Sequence, residues 1–271
     1  MRFRWLAPWR LASVYVRVRH LAPSRGGRAA IWSSLVRGLA ERLAPFRSRS
    51  TRPVEIGEAA ESRLLHLRAN GDDAYTFYEV FVKGIYDGLL PIAPGGTVVD
   101  LGANIGLASA YLLSTDSGLR VIAVEPEEEN LDLLRRNLAG SNAEIHAIAI
   151  APVSGDVTLE LATSSTHRIS CDAEPRPGGR RVPALSLDDF AEHAGIDRVA
   201  ALKVDIEGGE EALFGRPWEL LSRTDKLVIE VHDPASRPAI AASLEKQGFR
   251  HLPPTRRGFP DFFVQQTRTP A

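Results

Sequence analysis

From about residue 75 onward the chain alternates short, nearly uninterrupted apolar runs with stretches of helical apolar spacing, and glycine or proline stands near many of the boundaries. The runs Thr97 to Leu101, Arg120 to Val124, Glu144 to Ile150, Val157 to Leu161, Ala201 to Val204, Lys226 to Val231 and Asp261 to Gln265 predict strands. Between them Ile105 to Ser114, Glu128 to Leu138, Leu187 to Ala194, Gly209 to Leu221 and Ala235 to Gln247 predict helices. Alternation of this kind predicts an α/β protein with a doubly wound, mainly parallel sheet and helices on both faces. Ligands of such sheets gather beyond the carboxyl ends of the strands.

The first 53 residues do not follow this pattern. They carry twelve arginines against one acid, Glu41, although the whole chain of 271 residues is near neutral with 33 basic and 34 acidic residues. Ile31, Leu35, Leu39 and Leu43 recur every four residues and predict an amphipathic helix, with Arg28, Arg37 and Arg42 on its polar side. We therefore expect a basic N-terminal helical extension, residues 1–53, ahead of a domain at 54–271. Trp5 and Trp9 add interfacial aromatics, so docking on a membrane surface or a protein partner stands beside packing on the chain's own body. The acidic remainder excludes a nucleic-acid partner in this expectation. No apolar stretch reaches the roughly 18 residues of a membrane span, and arginines interrupt the N-terminal apolar runs where a signal peptide would need an apolar centre, so a cytoplasmic location is expected. A single cysteine, Cys171, allows neither an internal disulfide nor a cysteine zinc site.

Two motifs carry chemistry. Val98-Val-Asp-Leu-Gly-Ala-Asn-Ile-Gly106 is a buried strand that ends in an acid and turns through glycines into a helix. Gly102 permits close approach of a ligand to the backbone, Asn104 tolerates a left-handed turn, and Gly106 permits close helix packing. From Gly102, a dinucleotide fingerprint would need glycines where Asn104 and Leu107 stand, and no G-x-x-x-x-G-K-[ST] loop is present, so neither NAD nor a P-loop nucleotide is expected. The second motif, Val121-Ile-Ala-Val-Glu-Pro126, ends another strand in an acid, positioned to accept hydrogen bonds from both hydroxyls of a ribose. Together they point to a nucleoside ligand without a pyrophosphate.

These residues also resemble the FkbM-type methyltransferases, which use S-adenosylmethionine. The resemblance rests on Val99-Asp-Leu-Gly-Ala-Asn-Ile-Gly106, on Val124-Glu-Pro126 with Asn130, and on Leu202-Lys-Val-Asp-Ile-Glu-Gly-Gly-Glu210. Val182-Pro-Ala-Leu-Ser-Leu-Asp-Asp-Phe190 and Ile229-Glu-Val-His232 are softer matches, and the whole spans roughly residues 75 to 266. It implies a Rossmann-like fold and a cofactor site of Asp100, Gly102, Asn104, Gly106, Glu125, Pro126 and Glu207. Asp100, Gly102 and Asn104 would face the methionine part, Glu125 would hold the ribose, and Asp205 and Glu207 would lie at the mouth. Where such proteins often carry a polar residue after the third strand, this chain has Pro152, so no side chain is assigned to the adenine amino group.

Methyl transfer to a hydroxyl needs alignment of the acceptor and a route for its proton. Asp205, at the end of the fourth strand, and Glu230 and His232, expected on one face of the fifth, are the catalytic candidates. His232 serves as base with a pKa suited to neutral pH. Alternatively Asp205, Glu230 and His232 hold a hard divalent cation, although no dense cluster with ligand spacing appears and no metal is assigned. Lys203 reads as snorkelling or paired, Glu210 and Glu211 as complements to a helix dipole, and Phe77 to Tyr86 as a lid or as plain core. His167, in Ser164-Ser-Thr-His167, belongs to a polar loop placed to cover the acceptor. The expected activity is methylation of a hydroxyl on a saccharide, glycolipid or natural product. The rival is a nucleoside-binding scaffold, without turnover, recruited through its basic arm.

Overall fold

The protein is described from a computed structural model covering residues 28–29, 31–33, 36, 51–56, 63–68, 71–161, 167–170, 179–252, 254 and 259–266. Five parallel strands form the heart of the main sheet: β3 (Thr97–Leu101), β4 (Arg120–Val124), β5 (Ala143–His146), β10 (Ala201–Val204) and β11 (Lys226–Ile229). An antiparallel hairpin of β12 (Phe249–Leu252) and β13 (Asp261–Gln265) completes it, in the order β12-β13-β11-β10-β3-β4-β5. The chain runs from β3 toward β5 on one side and later fills β10 and β11 on the other, so the switch point lies between β3 and β10. The crevice beyond that point is where this class of sheet holds ligands.

Both faces are buried, which explains the continuous apolar runs. Val98, Val121, Ala123, Ala201 and Val228 face one core, closed by α2 (Leu107–Thr115) and α3 (Glu128–Asn137). Val99, Leu101, Ile122, Val124, Leu202, Val204, Leu227 and Ile229 face the other, covered by α4 (Leu187–His193), α5 (Glu210–Phe214), α6 (Glu219–Ser222) and α7 (Arg237–Lys246). The alternation follows the period of two along a strand. The fold is thus the expected doubly wound α/β class.

The structure corrects three expected elements. The run Glu144 to Ile150 divides, because β5 ends at His146 and Ala149–Ile150 (β6) turns into a separate sheet, ordered β6-β9-β7-β8, with β7 (Gly155–Leu161), β8 (His167–Ser170) and β9 (Arg180–Leu185). The helix expected over Gly209 to Leu221 breaks into α5 and α6 around Pro217, which has no amide hydrogen to continue it. β11 stops at Ile229 instead of Val231, and His232 stands in a bend beyond it.

On the N-terminal side, β1 (Thr51–Ile56) and β2 (Arg63–Arg68) pair as an antiparallel hairpin, so the boundary expected after residue 53 falls inside a strand. Asn137 of α3 docks the hairpin: its Oδ1 accepts from the His66 amide at 2.6 Å and its Nδ2 donates to the His66 carbonyl at 3.1 Å. Val54, Leu65, Leu67 and the fully buried Ile31 join the first core. Of the expected amphipathic helix, Leu35, Leu39 and Leu43 lie outside the described residues, as do Trp5 and Trp9. After α1 (Gly71–Phe77) the chain continues into a π-helical turn, Tyr78–Lys83, whose Val80, Phe81 and Val82 are buried against the same core. Among the described residues no helix is long and apolar enough to cross a membrane.

Candidate functional site

The switch-point crevice is an open cleft lined by Gly102, Asn104, Val124, Glu125, Pro126 and Asn130 on one side and by Ile148, Ala149, Ile150, Leu159, Asp205, Ile206 and Glu207 on the other. The loop after β3 and the loop after β10 meet at its floor. A Cβ on Gly102 would stand 1.8 Å from the Asp205 carbonyl oxygen, and Gly102 has φ 75°, so glycine is required there twice over. Asn104 and Glu207, with φ 51° and 54°, are left-handed non-glycine residues, and both line the cleft.

Glu125, at the end of β4, is 5% exposed and braces the cleft from within. Its Oε2 accepts from the Asn104 amide at 2.8 Å, while Oε1 accepts from the Glu127 amide at 2.9 Å and the Asn130 side chain at 3.2 Å. Burial pushes its carboxyl above the ordinary range, and those donors offset part of the push. A carboxylate offers about four acceptor positions. Three are spent on the protein, so the expectation that Glu125 serves both ribose hydroxyls is corrected to one remaining position.

Asp100 and Gly106 do not line the cleft. Asp100 is 0% exposed: its Oδ2 accepts from Ser109 Oγ at 2.6 Å and its Oδ1 lies 3.1 Å from Lys203 Nζ. Lys203, the cross-strand neighbour of Asp100, donates to the Gly102 carbonyl at 2.8 Å and reaches to 3.4 Å from Asp205 Oδ2. Burial alone would lower its pKa, and the charges of Asp100, Asp205 and Glu230 more than reverse this, holding the ammonium above its ordinary value. The lysine is paired and buried, and it ties the two cleft loops together. Gly106, with φ 85°, caps α2 and leaves room for Leu134.

At the outer edge a carboxylate cluster surrounds one imidazole. His232 Nε2 lies 3.2 Å from Glu207 Oε2 and 3.6 Å from Asp205 Oδ1, and Nδ1 lies 2.9 Å from Glu210 Oε1. Burial pulls the His232 pKa down, but the hydrogen bond to Glu210 and the neighbouring charges prevail and raise it to about 9. The expected neutral base is therefore an imidazolium at neutral pH. Burial and the Asp205 charge push Glu207 up to about 7, whereas the contact with His232 overcomes burial and holds Glu210 below its ordinary value. His232 and Glu210 also line a polar recess with Gly208, Glu211, Asp233 and Ser236, so the cluster stands between cleft and recess.

Glu230 does not join this cluster, which corrects its expected place on the same face as His232. Its backbone amide continues the sheet to the Val204 carbonyl, and its side chain turns inward to the hydroxyl of Tyr86. Burial and the Asp205 charge push Glu230 up to about 7, and burial with the Glu230 charge raises Tyr86. Tyr86 thus belongs to the buried base of the site. Ser164, Ser165 and Thr166 of the expected acceptor loop lie outside the described residues, and His167 opens β8.

Three contributors escaped the sequence reading. Glu210 looked like a dipole complement yet holds His232, and its spacing from that histidine gave no signal. Asn130 was part of a motif but had no assigned role. Arg68, in β2, grips Asp73 at 3.0 Å and donates to Asn130 Oδ1 at 3.0 Å and Asn104 Oδ1 at 3.4 Å, so the N-terminal hairpin supports two residues of the cleft wall.

Comparison with known proteins bears on this geometry. Residues 100–251 match the family described as the methyltransferase FkbM domain. The chain is 31% identical over 215 residues to "Methyltransferase sdnD" of Sordaria araneosa, covering 65% of this chain and 81% of that protein. It is 26% identical over 138 residues to "Hexuronic acid methyltransferase AglP" of Haloferax volcanii, covering 49% of this chain and 54% of the relative. A match at 26% identity to "AMB antimetabolite synthetase AmbE" of Pseudomonas aeruginosa covers 66% of this chain but spans only 10% of that protein.

Proposed function

The chain belongs to the methyltransferase FkbM family, and from that premise we propose that it transfers a methyl group from S-adenosylmethionine in the cleft to an acceptor hydroxyl in the recess. The donor set of the cleft fits this cofactor. Ile148, Ile150, Leu159 and Ile206 offer apolar walls for an aromatic base, Glu125 keeps one acceptor position for a ribose hydroxyl, and no nest of glycines awaits a pyrophosphate. When bound, the cofactor supplies an activated sulfonium methyl.

The chain's own groups then bind, orient and manage a proton. Pro126 and Asn130 flank Glu125 around the nucleoside end, Gly102 and Asn104 face the methionine part, and Asp205 and Glu207 border the cofactor on the acceptor side. The observation that carries the hydroxyl reading is the run of carboxylates, Asp205, Glu207 and Glu210, around His232 between the two cavities. Such an edge repels a reacting oxygen that is already ionised, such as a carboxylate oxygen, and favours one that still bears its proton. In the transfer, the acceptor oxygen forms its bond to the methyl carbon as the carbon–sulfur bond breaks with its pair staying on sulfur, and the hydroxyl proton leaves toward this edge. A saccharide is the first acceptor class to try, since a relative's name refers to a hexuronic acid; glycolipids and hydroxylated natural products follow.

The test is transfer of a labelled methyl group to a panel of saccharides and hydroxylated small molecules. The reading expects an alkali-stable methyl ether on the product. An alkali-labile methyl ester as the only product would overturn the hydroxyl assignment.

A further inference from the structure

Asp205, Glu207 and His232 each bring one donor atom to a shared point, all within 4.8 Å of one another. Ligand atoms about 2.1 Å from one ion stand about 3.0 Å apart at right angles and about 4.2 Å apart when opposed. The distances from His232 Nε2, 3.2 Å to Glu207 and 3.6 Å to Asp205, fall in that interval. The other ring nitrogen is not idle. Nδ1 meets the carboxylate of Glu210, a residue only 2% exposed whose Oε1 also accepts from the Gly208 amide at 3.1 Å. A metal-binding histidine characteristically places its second nitrogen on a carboxylate, which fixes the tautomer and aims the free nitrogen at the ion.

The charge balance points the same way. Asp100, Asp205, Glu207, Glu210 and Glu230 are neighbours here, and the cationic side chains set against them are Lys203 and His232. Lys203 lies closest to Asp100 beneath the cleft. Glu207 and Glu210 therefore have His232 as their cationic neighbour, Asp205 shares Lys203 with Asp100, and the residues of this edge line both the cleft and the recess.

We propose that Asp205, Glu207 and His232 bind one divalent cation of the manganese or magnesium class, and that Glu210 is a positioning residue for His232. Two carboxylate oxygens and one imidazole nitrogen suit such an ion and leave its remaining positions open. The inference deepens the proposed reaction and rests on that reading for its role. The ion takes the acceptor oxygen, the O–H proton leaves to solvent in the recess, and the oxygen attacks the sulfonium methyl while sulfur keeps the electron pair of the broken bond.

The experiment uses the full chain, freed of metal with a chelator that is then removed, and titrated with Mn²⁺ while paramagnetic resonance follows the free ion. We expect about one ion per chain. Asp205→Asn and His232→Gln should each weaken binding at least about tenfold, and Glu210→Gln about tenfold to a hundredfold, the range for an outer partner of a ligating histidine. Glu245→Gln, on the exposed side of α7, should leave it unchanged. Circular dichroism shows that each variant is folded. Absence of saturable binding to the folded parent chain, or binding that ignores all three site variants, overturns the proposal. S-adenosylmethionine is titrated in the same samples. Cofactor binding without Mn²⁺ binding removes the ion alone, and Mn²⁺ binding without cofactor binding removes the proposed cofactor reading instead.

Discussion

Replacing Lys203 with methionine probes the buried tie beneath the cleft. Methionine preserves the length of the stem, so the packing change is small and the lost charge dominates. Asp100 has no exposure and its Oδ1 faces the ammonium at 3.1 Å, so the variant leaves a carboxylate buried without its counter-charge. Breaking a buried pair from one side costs about 3–5 kcal/mol. Ser109 continues to donate to Asp100 Oδ2, which places the expected loss near the lower end, at about 3 kcal/mol. The Gly102 carbonyl also loses its donor, so the loops after β3 and β10 should loosen and cofactor affinity should fall with stability. Urea unfolding at pH 7 should show a lower midpoint with an unchanged slope. Adding Asp100→Asn should restore part of the loss, because the second change removes the stranded charge. A loss below about 1 kcal/mol, or no recovery in the double variant, would refute the assignment of Asp100 and Lys203 to a structural pair.

Other consequences are equally open to test. Ile31→Ala should cost about 2–4 kcal/mol in urea unfolding, as for other fully buried aliphatic residues, and a change under about 0.5 kcal/mol would detach that segment from the core. Arg68→Ala should raise the dissociation constant for S-adenosylmethionine several-fold and spare product chemistry, since Arg68 touches Asn104 and Asn130 but not the acceptor edge; an unchanged constant would leave it as a hairpin brace only. The His232 pKa is raised from its ordinary 6.5 to about 9, with Glu210, held below its ordinary value, the main partner, so the Glu210–His232 pair stabilises the metal-free fold below about pH 6.5 and this contribution is lost as pH rises through about 9. The stability gap between the parent chain and His232→Gln, read in chelator, should therefore be widest near pH 6 and close above pH 9; a gap that widens with pH contradicts this sign.

The sheet was legible in the sequence because burial on both faces forces apolar runs, and β3, β4, β10 and β13 lie where those runs stand. Apolar pattern says nothing, however, about the sheet a strand joins. Residues 144–150 read as one run, although the chain leaves the main sheet after His146 to pair Ala149–Ile150 with β9. Gly209 to Leu221 was read as one helix although Pro217, which lacks an amide hydrogen, stands inside it, and the structure divides it there into α5 and α6. The hairpin of β1 and β2 was hidden by Pro53 and by charges that resemble a loop, and what holds it is the side chain of Asn137, some seventy residues away in sequence. The motif acids were found, but not the burial of Asp100 away from the cleft. Asp100 and Glu125 both end strands, yet one is sealed under Lys203 while the other faces the cleft, a difference decided by side-chain direction and neighbours. Glu230 and His232 were paired by a period of two that ceases at Ile229, whereas Glu207 reaches His232 from the loop after β10 and Glu210 from the start of α5.

The central claim is that the cleft beyond β3 and β10 holds S-adenosylmethionine through Glu125. Isothermal titration of the parent chain and Glu125→Ala with S-adenosylmethionine, its demethylated product and NAD tests it most directly. Removing a charge-assisted hydrogen bond costs about 1.5–3 kcal/mol, so the variant should bind both sulfur ligands about ten- to a hundredfold more weakly, with NAD binding neither protein. Circular dichroism of the variant is part of the measurement, because the amides of Asn104 and Glu127 lose their acceptor too. Equal affinity in a folded Glu125→Ala protein, or binding of NAD as tight as that of S-adenosylmethionine, would contradict the account.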